Sequence, residues 1–239
     1  MEKIEKIKIA HLYYDLMNLY GENGNILALE KGFNDQDMFT EITELSIKDK
    51  IDFNKYDIYY MGCGSEENQI IVIDNLLKYK DQIKNALENN KHFIFTGNSY
   101  ELLGKYIEKT NGKKIETLGL FDFYSKEVDK RIIGEEILEC DFYKEPVIAF
   151  QNRQCVLNNK NYHLFNIIDG YADNYKSKYE GIHYKNLYAT YNLGPLLIRN
   201  PLLKNHIIKE ILDKKDILYK SISTIDDKAY NEYVKNFIS

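Results

Sequence analysis

Phe93-Ile-Phe-Thr-Gly-Asn-Ser-Tyr-Glu-Leu-Leu-Gly104 reads as a strand, a sharp turn and a helix. Four residues of β-forming type, Phe93 to Thr96, run into Gly97-Asn98-Ser99, and a helical pattern starts at Tyr100. In layered α/β enzymes such an elbow exposes one side chain beside a helix N-terminus. There the helix dipole and free N–H groups stabilise a thiolate or an oxyanion. The elbow position here is Gly97, which has no side chain. The scaffold of a catalytic site is present without the atom that would attack.

Outward from this elbow, strand and helix patterns alternate, which favours an α/β layered fold. Upstream, strands are expected at Ile7–Tyr13, Phe39–Leu45 and Tyr56–Met61, the last ending at Gly62-Cys63-Gly64. Gly21-Glu-Asn-Gly24 reads as a turn, with Asn25 as N-cap of a helix through Lys31. Ile71–Asn89 has the spacing of one long amphipathic helix. Downstream, Asn111-Gly-Lys-Lys is a hairpin-type turn, and strands are expected at Leu118–Tyr124, Lys130–Ile137, Val147–Asn152, Tyr162–Ile168 and Leu187–Thr190. A helix over Leu202–Leu212 follows, and the tail at 224–238 spaces Ala229, Tyr230, Tyr233, Val234 and Phe237 like one more. No repeat or linker interrupts the 239 residues, so a single domain is expected.

Composition narrows the function classes. Hydrophobic residues at 44% and charged residues at 29% describe an ordinary globular chain. A net charge of −5 argues against a nucleic-acid partner, because phosphate contacts need a basic face. No apolar run approaches the roughly 20 residues of a membrane span. The charged N-terminus lacks an apolar signal core, so a cytoplasmic location is expected. Three widely spaced cysteines, Cys63, Cys140 and Cys155, form no disulfide framework and no zinc pattern. No metal site or cofactor is expected.

Gly62-Cys63-Gly64-Ser65 ends a predicted strand, where open parallel sheets place their sites. Glycines there let backbone N–H groups approach a ligand, as an oxyanion hole requires. An ordinary strand-to-helix turn uses the same residues. Cys63 is a candidate nucleophile, but a free cysteine is more often a small buried apolar residue, and no histidine is placed to pair with it. Thr96 and Ser99 carry hydroxyls beside the elbow, and Ser99 also reads as the N-cap of the following helix.

His11-Leu-Tyr-Tyr-Asp-Leu-Met-Asn-Leu-Tyr-Gly-Glu-Asn-Gly-Asn-Ile-Leu-Ala-Leu29 resembles the opening of the glutaminase subunit of lipid II isoglutaminyl synthase. That family comprises class I glutamine amidotransferases of the cobyric-acid-synthase type. Further similarities fall in order: Gly62-Cys-Gly-Ser-Glu-Glu67 resembles the family's oxyanion loop, and Tyr100-Glu-Leu-Leu-Gly104 the helix after its nucleophile. Gly104 to Asp122 is similar to the family's hairpin region, and Phe150-Gln-Asn152 to its Gly-Phe-Glu-Asn-His segment. Thr190-Tyr-Asn-Leu-Gly-Pro-Leu-Leu-Ile-Arg-Asn-Pro201 resembles the segment that holds the catalytic histidine. The resemblance spans about residues 7 to 212 and implies the layered fold of that class, a mixed, mostly parallel sheet flanked by helices.

Carried over residue by residue, the resemblance implies a missing catalytic pair. The family's Cys-Gly-Gly-Tyr-Gln-Leu-Leu-Gly places its nucleophile at Gly97 and its next two glycines at Asn98 and Ser99. Its Thr-Tyr-Leu-His-Gly-Pro places the histidine at Leu193, and its Asn-His becomes Asn152-Arg153. A glycine forms no thioester and a leucine shuttles no proton. The resemblance therefore implies a degenerate subunit without glutaminase activity, partner to a Mur-ligase-like subunit that amidates lipid II. Two other readings stay open. One is a binding module for a small amino acid or amide, in a vestigial pocket of Gly62, Cys63, Gly64, Asn98, Ser99, Gln151, Asn152 and Arg153. The other is an active enzyme with a relocated nucleophile at Cys63, Thr96 or Ser99. Arg153 reads equally well as a surface charge.

Overall fold

The computed structural model describes residues 6–237. The chain opens with β1 (Lys6–Leu12), α1 (Asn23–Asn34), β2 (Phe39–Leu45) and β3 (Ile58–Met61). Then come α2 (Glu66–Leu76), a single 3₁₀ turn (Leu77–Tyr79), α3 (Lys80–Glu88) and β4 (His92–Thr96). Every residue of β3 and β4 is buried, as central strands of a parallel sheet covered on both faces require. Together with β11 (Ile182–Tyr184) and β12 (Leu187–Thr190) they form a six-stranded sheet in the order β11-β12-β4-β3-β1-β2. Only the β11–β12 edge pair is antiparallel. Alternation along β1 sorts the core in two: Ile7 and Ile9 face α1 and the helix that follows β12, while Ala10 and Leu12 face α2 and α3.

A second sheet was not foreseen. Short strands β5 (Tyr106–Glu108) and β6 (Lys114–Glu116) pair around the Asn111-Gly112 turn. A long hairpin of β7 (Ser125–Cys140) and β8 (Tyr143–Leu157) follows, with β9 (Phe165–Asp169) and β10 (Tyr179–Glu180) completing the sheet. Most of its pairs are antiparallel. Along β8 every second residue from Val147 to Leu157 is buried, the period of a half-buried strand. The expected strands at Lys130–Ile137 and Val147–Asn152 are pieces of this hairpin. The remainder is α4 (Leu196–Arg199), α5 (Pro201–Asp213) and α6 (Ile225–Phe237). The expected tail helix is therefore present, and Ile238 lies outside the described residues.

Three local expectations fail for identifiable reasons. The amphipathic stretch Ile71–Asn89 is broken at Leu77–Tyr79, which brings the Tyr79 ring onto Phe53 at 5.6 Å and its hydroxyl to the Ile51 N–H at 3.1 Å. The helix after the elbow is 3₁₀, from Gly97 to Leu103. Its last carbonyls, Leu102 and Leu103, accept from Leu118, Leu120 and Phe121 N–H groups. With Gly119 N–H donating to the Gly104 carbonyl, these bonds consume the donors of 118–121, so 118–124 is a loop clamped to the elbow helix and not a strand. Asn25 is no cap: it lies inside α1, whose first turn has no side-chain cap, and its amide is buried among polar groups described below. No described helix is long and apolar enough to cross a membrane.

Candidate functional site

The elbow stands where β4 ends in the sheet centre. Gly97 has φ +63°, a conformation that glycine adopts freely. A methyl group on Gly97 would lie 2.4 Å from Cys63 Cβ, 2.8 Å from its sulfur and 2.9 Å from Leu193 Cδ2. The position that resembles a nucleophile site is thus filled from both sides by its neighbours. Leu193 is buried just beyond β12, with its N–H held by the Phe150 carbonyl at 2.9 Å. Cys63 approaches from the end of β3.

The oxyanion-type donors are also occupied. Gly64 N–H donates to Asn98 Oδ1 at 2.9 Å, and Asn98 Nδ2 returns a bond to the Gly64 carbonyl at 2.9 Å. Gln69 Nε2 pins the Asn98 carbonyl at 2.8 Å. The chain therefore places its own carboxamide against the loop that would receive a substrate's. Gly62 serves packing, since a side chain there would strike the Met17 carbonyl at 2.6 Å and Glu22 at 2.7 Å. Ser99 does not cap the helix. Its hydroxyl donates backwards to the Thr96 and Met61 carbonyls at 2.8 and 3.0 Å.

Cys63, Gly64, Asn98, Asn152 and Arg153 line one cleft with Glu66, Gln69, Glu101, Lys109, Arg131, Gln154 and Cys155. About 10 Å³ remains between them, room for one water at most. Gly62, Ser99 and Gln151 do not line it. Arg131, from the irregular stretch of β7, closes the mouth: its guanidinium donates to Glu66 Oε1 and Asn152 Oδ1, both at 2.7 Å. Arg153 is not a surface charge. It is 3% exposed, lies over the Tyr191 ring at 4.2 Å and donates to Gln151 and to the Cys155 and Asp173 carbonyls. Gln151 in turn donates to Glu136.

Five acids are buried among the described residues, and sequence reasoning marked none of them as buried; Glu22 and Glu180 stand nearest the elbow and the β12 end. Glu22, at the start of α1, lies fully buried beneath the elbow. Its carboxylate accepts from Gly194 N–H (2.8 Å), the Thr96 hydroxyl (2.5 Å), Asn25 Nδ2 (3.3 Å) and the Tyr60 hydroxyl. Burial pushes its pKa up, and these four bonds oppose the rise. The Thr96 hydroxyl is thereby committed to Glu22, away from the cleft. Glu180 binds the β12 end, accepting from the Thr190 hydroxyl at 2.7 Å and Tyr191 N–H at 2.6 Å. The glycines around Glu22 gave the sequence the look of an open turn, and nothing in the local pattern marked it as buried.

Chemistry at Cys63 is suppressed. Burial pushes its thiol up to about 12, with the Glu22 and Glu101 carboxylates adding to the rise. No histidine lines its cleft. His183 packs instead against Phe142 and Tyr188 on the edge strand. At pH 7.5 the thiolate fraction is about three orders of magnitude below that of a free cysteine. We expect iodoacetamide to label Cys63 in the native protein at least about a hundredfold more slowly than in urea-unfolded protein. Comparable rates would restore it as a nucleophile.

The second polar cluster, around Arg153, makes stability depend on pH. Burial raises Glu136 to about 7 and Asp173 to about 7. Folded values above unfolded ones mean that this stabilisation is complete at low pH and lost as pH rises through about 7. Buried His11 and His92, held down to about 4 and about 3, act in the opposite sense below their ordinary value near 6.5. Urea unfolding is therefore expected to show stability falling by about 1 kcal/mol between pH 6.5 and pH 8. Glu136→Gln should flatten the alkaline side, and a profile still rising at pH 8 would contradict the assignment.

Among the described residues no group of three or more His, Cys, Asp or Glu side chains is placed to hold a metal ion. The geometry is that of a filled elbow on an intact layered scaffold, and known proteins share that scaffold. The profile of the CobB/CobQ-like glutamine amidotransferase domain matches residues 8–201. The chain is 30% identical over 230 residues to the lipid II isoglutaminyl synthase (glutamine-hydrolyzing) subunit GatD of Staphylococcus aureus, covering 95% of this chain and 92% of that one. It is 33% identical over 213 residues to the subunit of the same name from Streptococcus pneumoniae, covering 88% and 82%. Among solved structures, PurLQS from Thermotoga maritima superposes with a TM-score of 0.60 at 13% identity, over 88% of this chain and 99% of that one. The glutaminase domain of Trypanosoma brucei CTPS superposes at 0.57 with 11% identity, over 92% and 98%. Matching profile, sequence relatives and layered fold agree, and the chain belongs to the CobB/CobQ-like glutamine amidotransferase family.

Proposed function

We propose that this chain is a glutamine amidotransferase-like subunit of a cytoplasmic lipid II amidating enzyme, and that it does not hydrolyse glutamine. The observation that carries the reading is the packing at Gly97, where Cys63 and Leu193 take the space of a nucleophile and its base. Amide hydrolysis by this scaffold needs a thiolate, a proton carrier and free oxyanion donors. The first two are replaced, and Gly64 N–H is spent on Asn98. Its role is then structural: it docks on a Mur-ligase-like subunit, which amidates the activated carboxylate with free ammonia. The filled cleft weighs against a glutamine-sized ligand bound at the same place.

The test is ammonia release from glutamine by the purified chain, alone and bound to the Mur-ligase-like partner. The expected result is no release above buffer in either case. Co-purification of the two, with amidation supported by ammonium chloride and not by glutamine, would complete the case. Turnover of glutamine by the wild-type pair would refute it.

A further inference from the structure

A second cavity, away from the elbow, is built in a way that suits a ligand. It lies between α6 and the body of the domain and measures about 390 Å³, within the range of small-molecule sites. Ile148 and Ala149 of β8 form its floor, with Ile198 of α4 and Ala229 of α6 as apolar walls. Three charged groups line it: Asp226 on α6, and the solvent-exposed pair of Arg199 on α4 and Glu135 on β7. Neither side chain of that pair has a hydrogen-bond or ion-pair partner among the described residues.

The walls are fixed by polar latches. Asn200, 1% exposed, grips both backbone groups of Ile148 at 2.8 Å and the Leu196 carbonyl at 2.9 Å, so α4 holds Arg199 at one place over β8. Asp226 anchors the start of α6 to buried Lys204 at 3.5 Å and to Lys31 at 3.7 Å. The Tyr230 hydroxyl donates to the Pro146 carbonyl. A helix docked loosely over a surface dent would need none of these bonds.

We propose that this cavity binds a free α-amino acid with an aliphatic side chain. Arg199 receives the carboxylate through its planar fork, Glu135 receives the ammonium group, and the side chain rests on Ile148, Ala149, Ile198 and Ala229. A zwitterion satisfies both unpaired charges at once, whereas a purely anionic or cationic ligand leaves one of them facing its own sign or nothing. Because α6 supplies one wall, binding clamps that helix to the body. The proposal is independent of the reading of the elbow, and either can fail alone.

The experiment is thermal unfolding of the full chain with about 10 mM L-leucine, L-isoleucine, L-valine or L-methionine. 4-Methylpentanoate and 3-methylbutylamine serve as probes lacking one charge each. At least one of the amino acids should raise Tm by about 5 °C, and both single-charge probes should fail to do so. Arg199→Met and Glu135→Gln, both surface changes, should each abolish the shift, and hydrogen exchange in α6 should slow only when wild type is liganded. Absence of a saturable shift with all four amino acids would overturn the proposal. So would a shift that survives Arg199→Met, which would place the ligand elsewhere.

Discussion

Replacing Gly97 by Cys and Leu193 by His leaves the protein without glutaminase activity and lowers its stability by about 3 kcal/mol. Restoring two side chains does not restore the space they need. The new Cβ at position 97 meets Cys63 at 2.4 Å, and a left-handed backbone costs a non-glycine residue about 1–2 kcal/mol before any clash. Overpacking adds about 1–3 kcal/mol. For a chain of this size the sum lowers Tm by about 6–12 °C. Adding Cys63→Gly and Asn98→Gly removes the intruding side chain and frees Gly64 N–H. That quadruple variant should release ammonia from glutamine at least about a hundredfold faster than the double variant, the loss seen when one oxyanion donor is removed. Activity in the double variant alone would mean that Cys63 moves aside readily and that the filled elbow is no barrier.

Glu22→Ala should cost about 4 kcal/mol, a fall in Tm of about 10 °C, because it strips one acceptor from four buried donors at once. Gly194 N–H, the Thr96 and Tyr60 hydroxyls and the Asn25 amide would all face an apolar gap. The carboxylate also ties together segments far apart in sequence: the start of α1, the ends of β3 and β4, and the loop beyond β12. Tyr60→Phe, which deletes a single donor, should cost about 1–1.5 kcal/mol by comparison. Equal and small losses for both variants, read from urea unfolding, would show that water replaces the carboxylate and that the network is dispensable.

Strands whose side chains see core on both faces announced themselves. Ile58–Met61, His92–Thr96 and Leu187–Thr190 are continuous apolar or β-forming runs, and each is a central strand. The register behind the proposed loss of the catalytic pair rests on sequence anchors alone: Thr190-Tyr191 and Gly194-Pro195 flank Leu193, and Gly97 is the elbow residue itself. The β7–β8 hairpin was only partly readable. Glu127, Asp129, Lys130, Arg131, Glu135 and Glu139 hide its period behind charges that point outward or bridge the cleft. What filled the site could not be read at all. Gly64 and Asn98 are 34 residues apart in sequence, and only the sheet order brings the end of β3 beside the end of β4. Arg153 looked like a surface charge because its partners are mostly backbone carbonyls, which leave no trace in composition.

The reciprocal pair between Asn98 and Gly64 also bears on how the lineage can change. A lost nucleophile alone is one substitution from recovery. Here the space beside Gly97 is closed by Cys63 and Leu193, so a lone Gly97→Cys change is expected to yield a less stable protein. On the proposed reading, each single substitution toward a Cys–His pair costs stability before it can add chemistry, and the cleft behaves as a ratchet.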